Sequence, residues 1–189
     1  IPSLRAFIGT KPEASLVEQA EYMLVVAAYN LKDINRVELL EEYMETYPDS
    51  PNTNYINGLL GSAYYFDEEF EYALAYFNSV NLDYLPTADR NDIIYRMATS
   101  FLKVGKLDES IAWFETLRQT STSYNKDSQY YIGYIRYTQG KYDAALKYLL
   151  PLQTDQKYGE LVPYYIASSY FIMGHYDKAQ NVAEGYLTQ

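Results

Sequence analysis

The sequence predicts an all-α fold, a solenoid of antiparallel helix pairs, and two regular features carry this prediction. The first is a pair of small residues twelve positions apart that recurs four times: Gly61 and Ala73, Ala98 and Ser110, Gly133 and Ala145, and Ala167 and Ala179. The first members are separated by 37, 35 and 34 residues, a period typical of a stacked two-helix unit. The second is a large apolar residue that follows each first member by nine positions and begins the second helix: Phe70, Leu107, Tyr142 and Tyr176.

Glycine marks the turn inside most units. Gly105, Gly140 and Gly174 each lie two positions before the second helix, where the chain must reverse. Glycine suits this place because the residue after a helix end often adopts a left-handed backbone. Glu68 takes the same place in the earlier unit, in a charged turn that we expect to be exposed. Apolar residues at helical intervals before these turns favour helix over strand, so we expect about ten helices and no sheet.

Several residues predict where helices begin. Asp92 and Asp127 are placed in first turns, where a negative charge interacts favourably with the helix dipole. Asn125 is predicted to be an N-cap, since its side chain can accept a hydrogen bond from the backbone. Pro163 is compatible only with a first turn, which sets the start of its helix at about Glu160.

Proline also predicts an interruption near residue 150. Pro151 disfavours helical geometry at Leu150, so the helix from Tyr142 to Leu149 is expected to end or kink there. Tyr158 and Gly159 then belong to the loop before the last unit.

The two ends of the sequence predict that these residues were cut from a longer array. Residues 1–8 resemble the C-terminal end of the second helix of an earlier unit, which Lys11-Pro12 terminates. Tyr186 and Leu187 have no capping helix behind them, and Gln189 falls where another unit would begin. Solenoids need polar terminal caps to stay soluble, so uncapped apolar ends predict missing repeats and an end-to-end self-contact that imitates them.

The repeat unit resembles the tetratricopeptide repeat. That family's pattern is a leucine-small pair, an aromatic residue, a glycine turn, a second aromatic residue, a small residue, a third aromatic residue and a closing proline. One copy consists of Leu60-Gly61, Tyr64, Phe70, Ala73 and Phe77. Later copies are Met97-Ala98, Phe101, Gly105, Leu107, Ser110 and Phe114; Ile132-Gly133, Gly140, Tyr142, Ala145 and Leu149; and Ile166-Ala167, Tyr170, Gly174, Tyr176 and Ala179. A weaker copy precedes them and contains Val25, Ala28, Ile34 and Val37.

The resemblance implies a right-handed α-solenoid of about five repeats plus a preceding partial helix. We expect one superhelical domain over residues 1–189, with a partial unit at 1–12 and units at about 13–50, 51–86, 87–121, 122–155 and 156–189. Members of the family that clamp the carboxylate terminus of chaperone tails use Lys, Asn and Arg along the groove. The corresponding places here hold Tyr, Val, Ser and Thr, which implies that this clamp is absent.

The segment Tyr47-Pro48-Asp49-Ser50-Pro51 resembles the inter-repeat linker of bacterial envelope assembly and lipoprotein-type repeat proteins. This five-residue resemblance implies a periplasmic or outer-membrane-associated location, and a cytoplasmic location is the alternative.

The composition excludes several classes of partner. The chain has 25 acidic and 15 basic residues and a net charge of -10, and its basic residues are scattered rather than clustered. A phosphate backbone requires a basic patch, so nucleic acid is not an expected partner. No stretch approaches the roughly 20 apolar residues of a membrane-spanning helix. The absence of cysteine excludes disulfides and is compatible with either redox compartment.

Catalysis has little support in the sequence. The only histidine, His175, falls in a predicted turn, and without cysteine no ordinary zinc set or catalytic dyad or triad can form. The carboxylates of Glu41-Glu42 and Asp67-Glu68-Glu69 are predicted to lie on solvent faces or turns. No phosphate-binding glycine loop or dinucleotide motif is present. We therefore expect a non-enzyme with no cofactor, no metal and no catalytic residue.

Tyrosine is the composition feature that points to function, because the chain contains 24 tyrosines. Some are expected to be core residues at family packing positions: Tyr64, Tyr142, Tyr170 and Tyr176. A second set lies on the first helix of each unit and is predicted to line a concave groove: Tyr22, Tyr29, Tyr65, Tyr95, Tyr130, Tyr134, Tyr137, Tyr164 and Phe171. Tyrosine supplies broad contact area with one hydroxyl group, which suits recognition of a peptide or sugar. The alternative is that these rings pack only between neighbouring first helices.

Three functions remain open on these observations. The first is a scaffold that binds a protein or peptide segment in the tyrosine-lined groove. The second is a glycan-binding module of a bacterial envelope system, in which exposed aromatic faces stack on the sugar rings of an oligosaccharide. The third is an architectural spacer within a large repeat protein.

Overall fold

The computed structural model describes residues 1–11, 13–121 and 123–187, apart from the side chain of Leu187. Pro12, the Leu187 side chain and Gln189, which figure in the predictions for the chain ends, lie outside the described residues. The α-helices are α1 Pro2–Gly9, α2 Ala14–Asn30, α3 Arg36–Thr46, α4 Thr53–Phe66, α5 Phe70–Phe77, α6 Thr87–Lys103, α7 Leu107–Thr120, α8 Asn125–Thr138, α9 Tyr142–Leu149, α10 Val162–Ile172 and α11 Tyr176–Leu187. Leu82–Tyr84 and Leu150–Leu152 form short 3-10 segments.

The all-α solenoid architecture is confirmed. The described residues contain eleven α-helices and no strand, and consecutive helices pack as the pairs α2 and α3, α4 and α5, α8 and α9, and α10 and α11. Each of the five ranges predicted as a unit contains two consecutive α-helices. We call α2, α4, α6, α8 and α10 the first helices and α3, α5, α7, α9 and α11 the second helices.

The chain divides into two compact units, residues 1–104 and 105–189, which we call the N-terminal unit and the C-terminal unit. The dividing point falls between α6 and α7, inside the range 87–121. The prediction of a single superhelical domain with those repeat bounds stays a prediction.

Small residues allow the helices of a pair to approach closely. In the N-terminal unit, a Cβ atom added at Gly61 would lie 2.5 Å from Cδ1 of Phe77 on the partner helix. In the C-terminal unit, a Cβ atom at Gly133 would lie 2.6 Å from Cδ2 of Leu149. Neither distance is compatible with van der Waals contact, so only glycine fits without a shift of the neighbouring side chain. The small residues at positions 61 and 133 thus have the packing origin expected from the sequence.

Each unit has its own apolar core. The N-terminal core is formed by helices α2, α3 and α4 through Leu24, Val25, Leu40, Tyr43, Ile56, Leu59 and Leu60. The C-terminal core is formed by α9, α10 and the loop between them through Ala145, Leu146, Leu149, Leu152, Tyr158, Val162 and Ile166. Tyr158 was expected only as a loop residue, yet its ring is buried because it stacks on Tyr130 at 4.6 Å.

The turns inside the units have the predicted left-handed backbone. Gly105, Gly140 and Gly174 have φ angles of +79°, +72° and +80°. Glu68, the predicted equivalent, has a φ of +62° and is exposed. A residue with a Cβ atom is strained in this region, and Glu68 keeps it because Asp67, Glu68 and Glu69 all bond back to helix α4 through their amides.

This strain makes Glu68→Gly a stabilising substitution. We expect the free energy of unfolding to rise by about 1 kcal/mol, since glycine adopts positive φ at little cost. Urea denaturation followed by circular dichroism measures the change. Glu69→Gly is the matched control, because Glu69 has a φ of -89° and should gain nothing. Equal effects of the two substitutions would show that backbone strain at Glu68 is not the cause.

Two predicted helix starts are wrong and one is confirmed. Helix α6 begins at Thr87, so Asp92 lies in its second turn and Asp89 occupies the first. Asn125 is the first residue of α8 rather than its N-cap, and its amide Nδ2 donates to the carbonyl of Arg118 at 2.8 Å. Asp127 lies in the first turn of α8 as predicted.

The prolines act as expected. Helix α9 ends at Leu149, and Pro151 lies in the 3-10 segment that follows. Pro163 is in the first turn of α10, although this helix begins at Val162 and not at Glu160.

Candidate interaction surfaces

The nine aromatic residues predicted to line a groove divide between the two units. Four lie on first helices of the N-terminal unit: Tyr22, Tyr29, Tyr65 and Tyr95. Five lie on first helices of the C-terminal unit: Tyr130, Tyr134, Tyr137, Tyr164 and Phe171. Seven of the nine are half-buried, while Tyr164 and Phe171 are 68% and 62% exposed. None is fully buried, so each retains some surface for a ligand, and the groove itself stays a prediction.

Tyr29 borders two cavities of the N-terminal unit, which together we call the N-terminal surface. It borders one cavity of about 160 Å³ with Tyr55, Ser62 and Arg96, and a second of about 430 Å³ with Phe66. Both cavities therefore combine aromatic rings with polar side chains from different helices. Concave sites of this kind bind ligands through apolar contact and a few directed hydrogen bonds.

Arg96 is a part of this surface that the sequence analysis missed. Its Nη1 donates to Ser62 Oγ at 2.6 Å, its Nη2 lies 3.8 Å from Asp92, and its guanidinium carbon lies 5.1 Å from the ring centre of Phe66. These contacts come from residues on two helices and hold the planar group in place. Five donors in a fixed fork allow an arginine to bind a carboxylate or backbone carbonyl of a ligand as well.

Glu41 contradicts the prediction that its carboxylate is merely solvated. Its Oε1 accepts hydrogen bonds from the hydroxyl groups of Tyr64 at 2.7 Å and Tyr76 at 2.8 Å, and these two rings are stacked at 5.5 Å. Burial and then the bond to Glu41 raise the pKa of Tyr76 to about 12, and the same causes raise the pKa of Tyr64. The cluster joins helices α3, α4 and α5, so its function is structural.

A similar bond joins α7 to α9 in the C-terminal unit. Tyr148 donates its hydroxyl to Glu115 Oε1 at 2.5 Å, and Arg118 Nε donates to the other oxygen at 2.8 Å. Burial alone would raise the pKa of Glu115, but these two hydrogen bonds outweigh it and lower the pKa. The carboxylate is therefore held ionised as a link between second helices.

The C-terminal tyrosines form a connected cluster of rings. Tyr165 of α10 meets Tyr134 and Tyr137 of α8 edge to face, with ring centres 5.6 and 5.1 Å apart. The hydroxyl of Tyr137 lies 3.0 Å from Ser168 Oγ. Burial and then the neighbouring Tyr165 raise the pKa of Tyr130. These rings pack between α8 and α10, which agrees with the alternative that the tyrosines pack between neighbouring first helices. Their remaining exposed edges form the aromatic surface of the C-terminal unit.

One tyrosine assigned to the core is exposed instead. Tyr64, Tyr142 and Tyr170 are half-buried, whereas Tyr176 is 62% exposed. Its ring contacts Phe171 at 5.3 Å, on a face that no element of the described residues covers. Together they border an open groove of about 820 Å³ between α10 and α11.

Side chains arranged for catalysis or metal binding are sparse among the described residues. They contain no group of three or more His, Cys, Asp or Glu side chains placed to hold a metal ion. His175 is exposed in the turn before α11. In the part of the chain that the structure describes, no helix has both the length and the apolarity that crossing a membrane requires.

The sequence matches no protein-family model and no curated protein. Several solved structures similar to this chain are tetratricopeptide-repeat or tetratricopeptide-repeat-like proteins. YrrB, described as a tetratricopeptide-repeat protein with an unusual peptide-binding site, superposes with a TM-score of 0.71 at 11% identity, covering 89% of this chain and 84% of its own. MamA has a TM-score of 0.68 at 14% identity, covering 86% and 91%. A tetratricopeptide repeat protein from Parabacteroides merdae has a TM-score of 0.54 at 14% identity, covering 90% and 79%. The chain therefore has the tetratricopeptide-repeat-like fold, as its repeat pattern predicts.

Proposed function

We propose that this protein is a non-catalytic scaffold that binds a segment of another protein through the aromatic faces of its first helices. The observation that carries the proposal is the N-terminal surface, where Tyr29 borders two cavities and Arg96 is held beside Phe66. Aromatic residues and arginine are the side chains that contribute most to protein interfaces. The peptide-binding site named for YrrB supports this proposal by analogy of fold.

The energetics are adequate for a specific complex. Each aromatic side chain that becomes fully desolvated in an interface contributes about 2 kcal/mol when truncation to alanine is the measure. A micromolar complex needs about 8 kcal/mol in total. Three anchors such as Tyr29, Tyr65 and Phe66 contribute about 6 kcal/mol, and a hydrogen bond from Arg96 adds about 1.5 to 3 kcal/mol, so together they reach this total. Half-burial of the Tyr29 and Tyr65 rings also means that these two side chains lose little rotamer entropy on binding.

The test uses peptides selected from a displayed library of random sequences of about 16 residues. The dissociation constants of the selected peptides are then measured for the wild-type chain and for Tyr29→Ala and Tyr65→Ala. We expect each substitution to weaken binding by about tenfold or more, since each removes about 1.4 kcal/mol or more. Tyr84→Ala is the matched control, because Tyr84 is 79% exposed in a 3-10 segment and belongs to no first helix.

The proposal fails if the control weakens binding as much as the two test variants do. It also fails if no saturable binder is obtained while an oligosaccharide binds at millimolar concentration, because the glycan alternative predicts that result. A chain that binds neither class of ligand would act as the architectural spacer.

The proposed location and self-contact rest on fewer residues. Ser50, in the linker that resembles those of envelope proteins, is buried and its hydroxyl lies 2.9 Å from the Tyr43 hydroxyl and 2.7 Å from Glu18. These contacts explain the serine at position 50 by packing alone, independently of where the protein is located. The periplasmic or outer-membrane-associated location is a proposal based on that short resemblance, and the end-to-end self-contact is a proposal based on the exposed ring of Tyr186.

A further inference from the structure

The smaller cavity of the N-terminal surface, which we call the Asp89 cavity, has a volume of about 160 Å³. Pockets for small molecules usually exceed about 300 Å³, so a cavity of this size holds one side chain of a partner. Its floor is buried and mostly apolar, while two aromatic rings and a carboxylate stand nearer the solvent: Gly58, Leu59 and Ile93 below, and Tyr29, Tyr55 and Asp89 above.

Helix α6 places its charged side chains along this cavity. Asp89, Asp92 and Arg96 follow each other at intervals of three and four residues, so they lie on one face of the helix. Asp92 lies 3.8 Å from Nη2 of Arg96, and Nη1 of Arg96 donates to Ser62. The guanidinium group therefore compensates one of the two carboxylates, and the lining of the cavity keeps one negative charge.

Asp89 is the carboxylate that the surrounding protein does not compensate. None of the ion pairs that the described residues form includes it. Its neighbour Arg90 donates Nη2 to the carbonyl of Leu85 at 3.2 Å instead. Burial, and then the neighbouring Tyr22 and Asp89, raise the pKa of Tyr55, which agrees with a carboxylate close to this ring. An exposed anion thus stands beside an aromatic side chain above an apolar floor.

We propose that the Asp89 cavity binds one lysine or arginine side chain of the protein segment that occupies the N-terminal surface, an inference that rests on the proposed function. The apolar stem of this side chain lies along Tyr29 and Tyr55, and its cationic group reaches Asp89. Long basic side chains suit such a site, because each has an apolar stem with a charge at its end. The faces of the aromatic rings also attract a cation.

Other kinds of side chain fit the cavity less well. An acidic side chain would meet Asp89 and Asp92, with only Arg96 to counter them, and like charges across an interface are unfavourable. An apolar side chain would remove water from Asp89 without supplying a partner, which is also unfavourable. The net charge of -10 attracts a basic segment from a distance and so favours its association with this surface.

The helix dipole gives Asp89 a structural role as well, because this residue lies in the first turn of α6. A control must therefore remove the same interaction elsewhere. Asp143 is exposed in the first turn of α9 and does not line the Asp89 cavity. Asp143→Asn is the matched control for Asp89→Asn, since both substitutions remove a first-turn carboxylate from an exposed position.

The test uses peptides selected on the wild-type chain from the same displayed library of random sequences. We expect the selected peptides to share one position that holds lysine or arginine. Asp89→Asn is expected to weaken their binding by about fivefold, whereas Asp143→Asn leaves it within about twofold. Synthetic peptides with lysine and arginine exchanged at the shared position show which of the two cations the cavity prefers.

A double-mutant cycle then assigns the cation to its partner. Norleucine at the shared position keeps an apolar stem without the charge. This replacement is expected to weaken binding to the wild-type chain by about fivefold and to change binding to Asp89→Asn by less than about twofold. The measured coupling thus isolates the contact between the peptide cation and Asp89.

Three results would overturn the inference while the proposed function stands. The first is a set of peptides that require Tyr29 for binding but share no basic residue. The second is an equal effect of norleucine on binding to the wild-type chain and to Asp89→Asn, because the cation would then bind elsewhere. The third is equal weakening by Asp89→Asn and Asp143→Asn. The absence of any saturable binder would remove the proposed function and this inference together.

Discussion

Phe77→Ala is expected to lower the free energy of unfolding by about 3 to 5 kcal/mol, the usual cost of removing a fully buried aromatic ring. Phe77 is 1% exposed, and its ring rests directly on the backbone of Gly61. Neither α4 nor α5 can close the space, because each also packs on another helix of the N-terminal unit. Urea denaturation followed by circular dichroism measures the loss.

Phe66→Ala is the matched control for this prediction. Phe66 is exposed and contacts the Arg96 guanidinium and the Tyr65 ring, so its removal should cost less than about 1 kcal/mol. If the two alanine variants are equally stable, the close approach of α4 and α5 is not what holds this unit together.

Gly133→Val is expected to lower the free energy of unfolding by about 3 kcal/mol through overpacking. A Cβ atom at this position would lie 2.6 and 2.7 Å from two atoms of Leu149 and 3.2 Å from Cβ of Tyr148. Leu149 cannot rotate away freely, because it is fully buried in the C-terminal core. The side chain of valine adds two further methyl groups to this conflict.

Gly185→Val tests whether the effect belongs to the site or to the residue type. Gly185 also lies in an α-helix, but a Cβ atom there meets nothing within 4 Å. Its replacement should change the stability by less than about 0.5 kcal/mol, since glycine and valine differ little in helix propensity. A comparable loss at both positions would contradict the account of the small-residue pairs.

Much of the fold could be predicted because its signals are local or periodic. The small residue at Gly61, its partner Ala73 and the turn at Gly140 each constrain a few neighbouring residues, and the constraint repeats. Helix starts were harder to predict. Several acidic and amide side chains lie close together near the starts of α6 and α8, and each of them is suited to the first turn or to the N-cap position. Asn125 bonds the carbonyl of Arg118, which is seven residues earlier and on the preceding helix.

The candidate surfaces were predictable only in part. The first-helix position of Tyr29 and Tyr134 follows from periodicity, but their exposure depends on which side chains the neighbouring helix supplies. Arg96 was missed because its partner Ser62 is 34 residues away, and Glu41 was misjudged because its two tyrosine partners lie 23 and 35 residues away. Long-range contacts of this kind carry no signal in a local window of sequence.

The measurement that tests the central claim most directly is the structure of the chain in complex with a library-selected peptide. The account predicts that the peptide lies on first helices, within contact distance of Tyr29 or Tyr65 and with an oxygen atom accepting a hydrogen bond from Arg96. A peptide bound on the second helices α3 and α5, with the first-helix tyrosines as exposed as they are in the free chain, would contradict it.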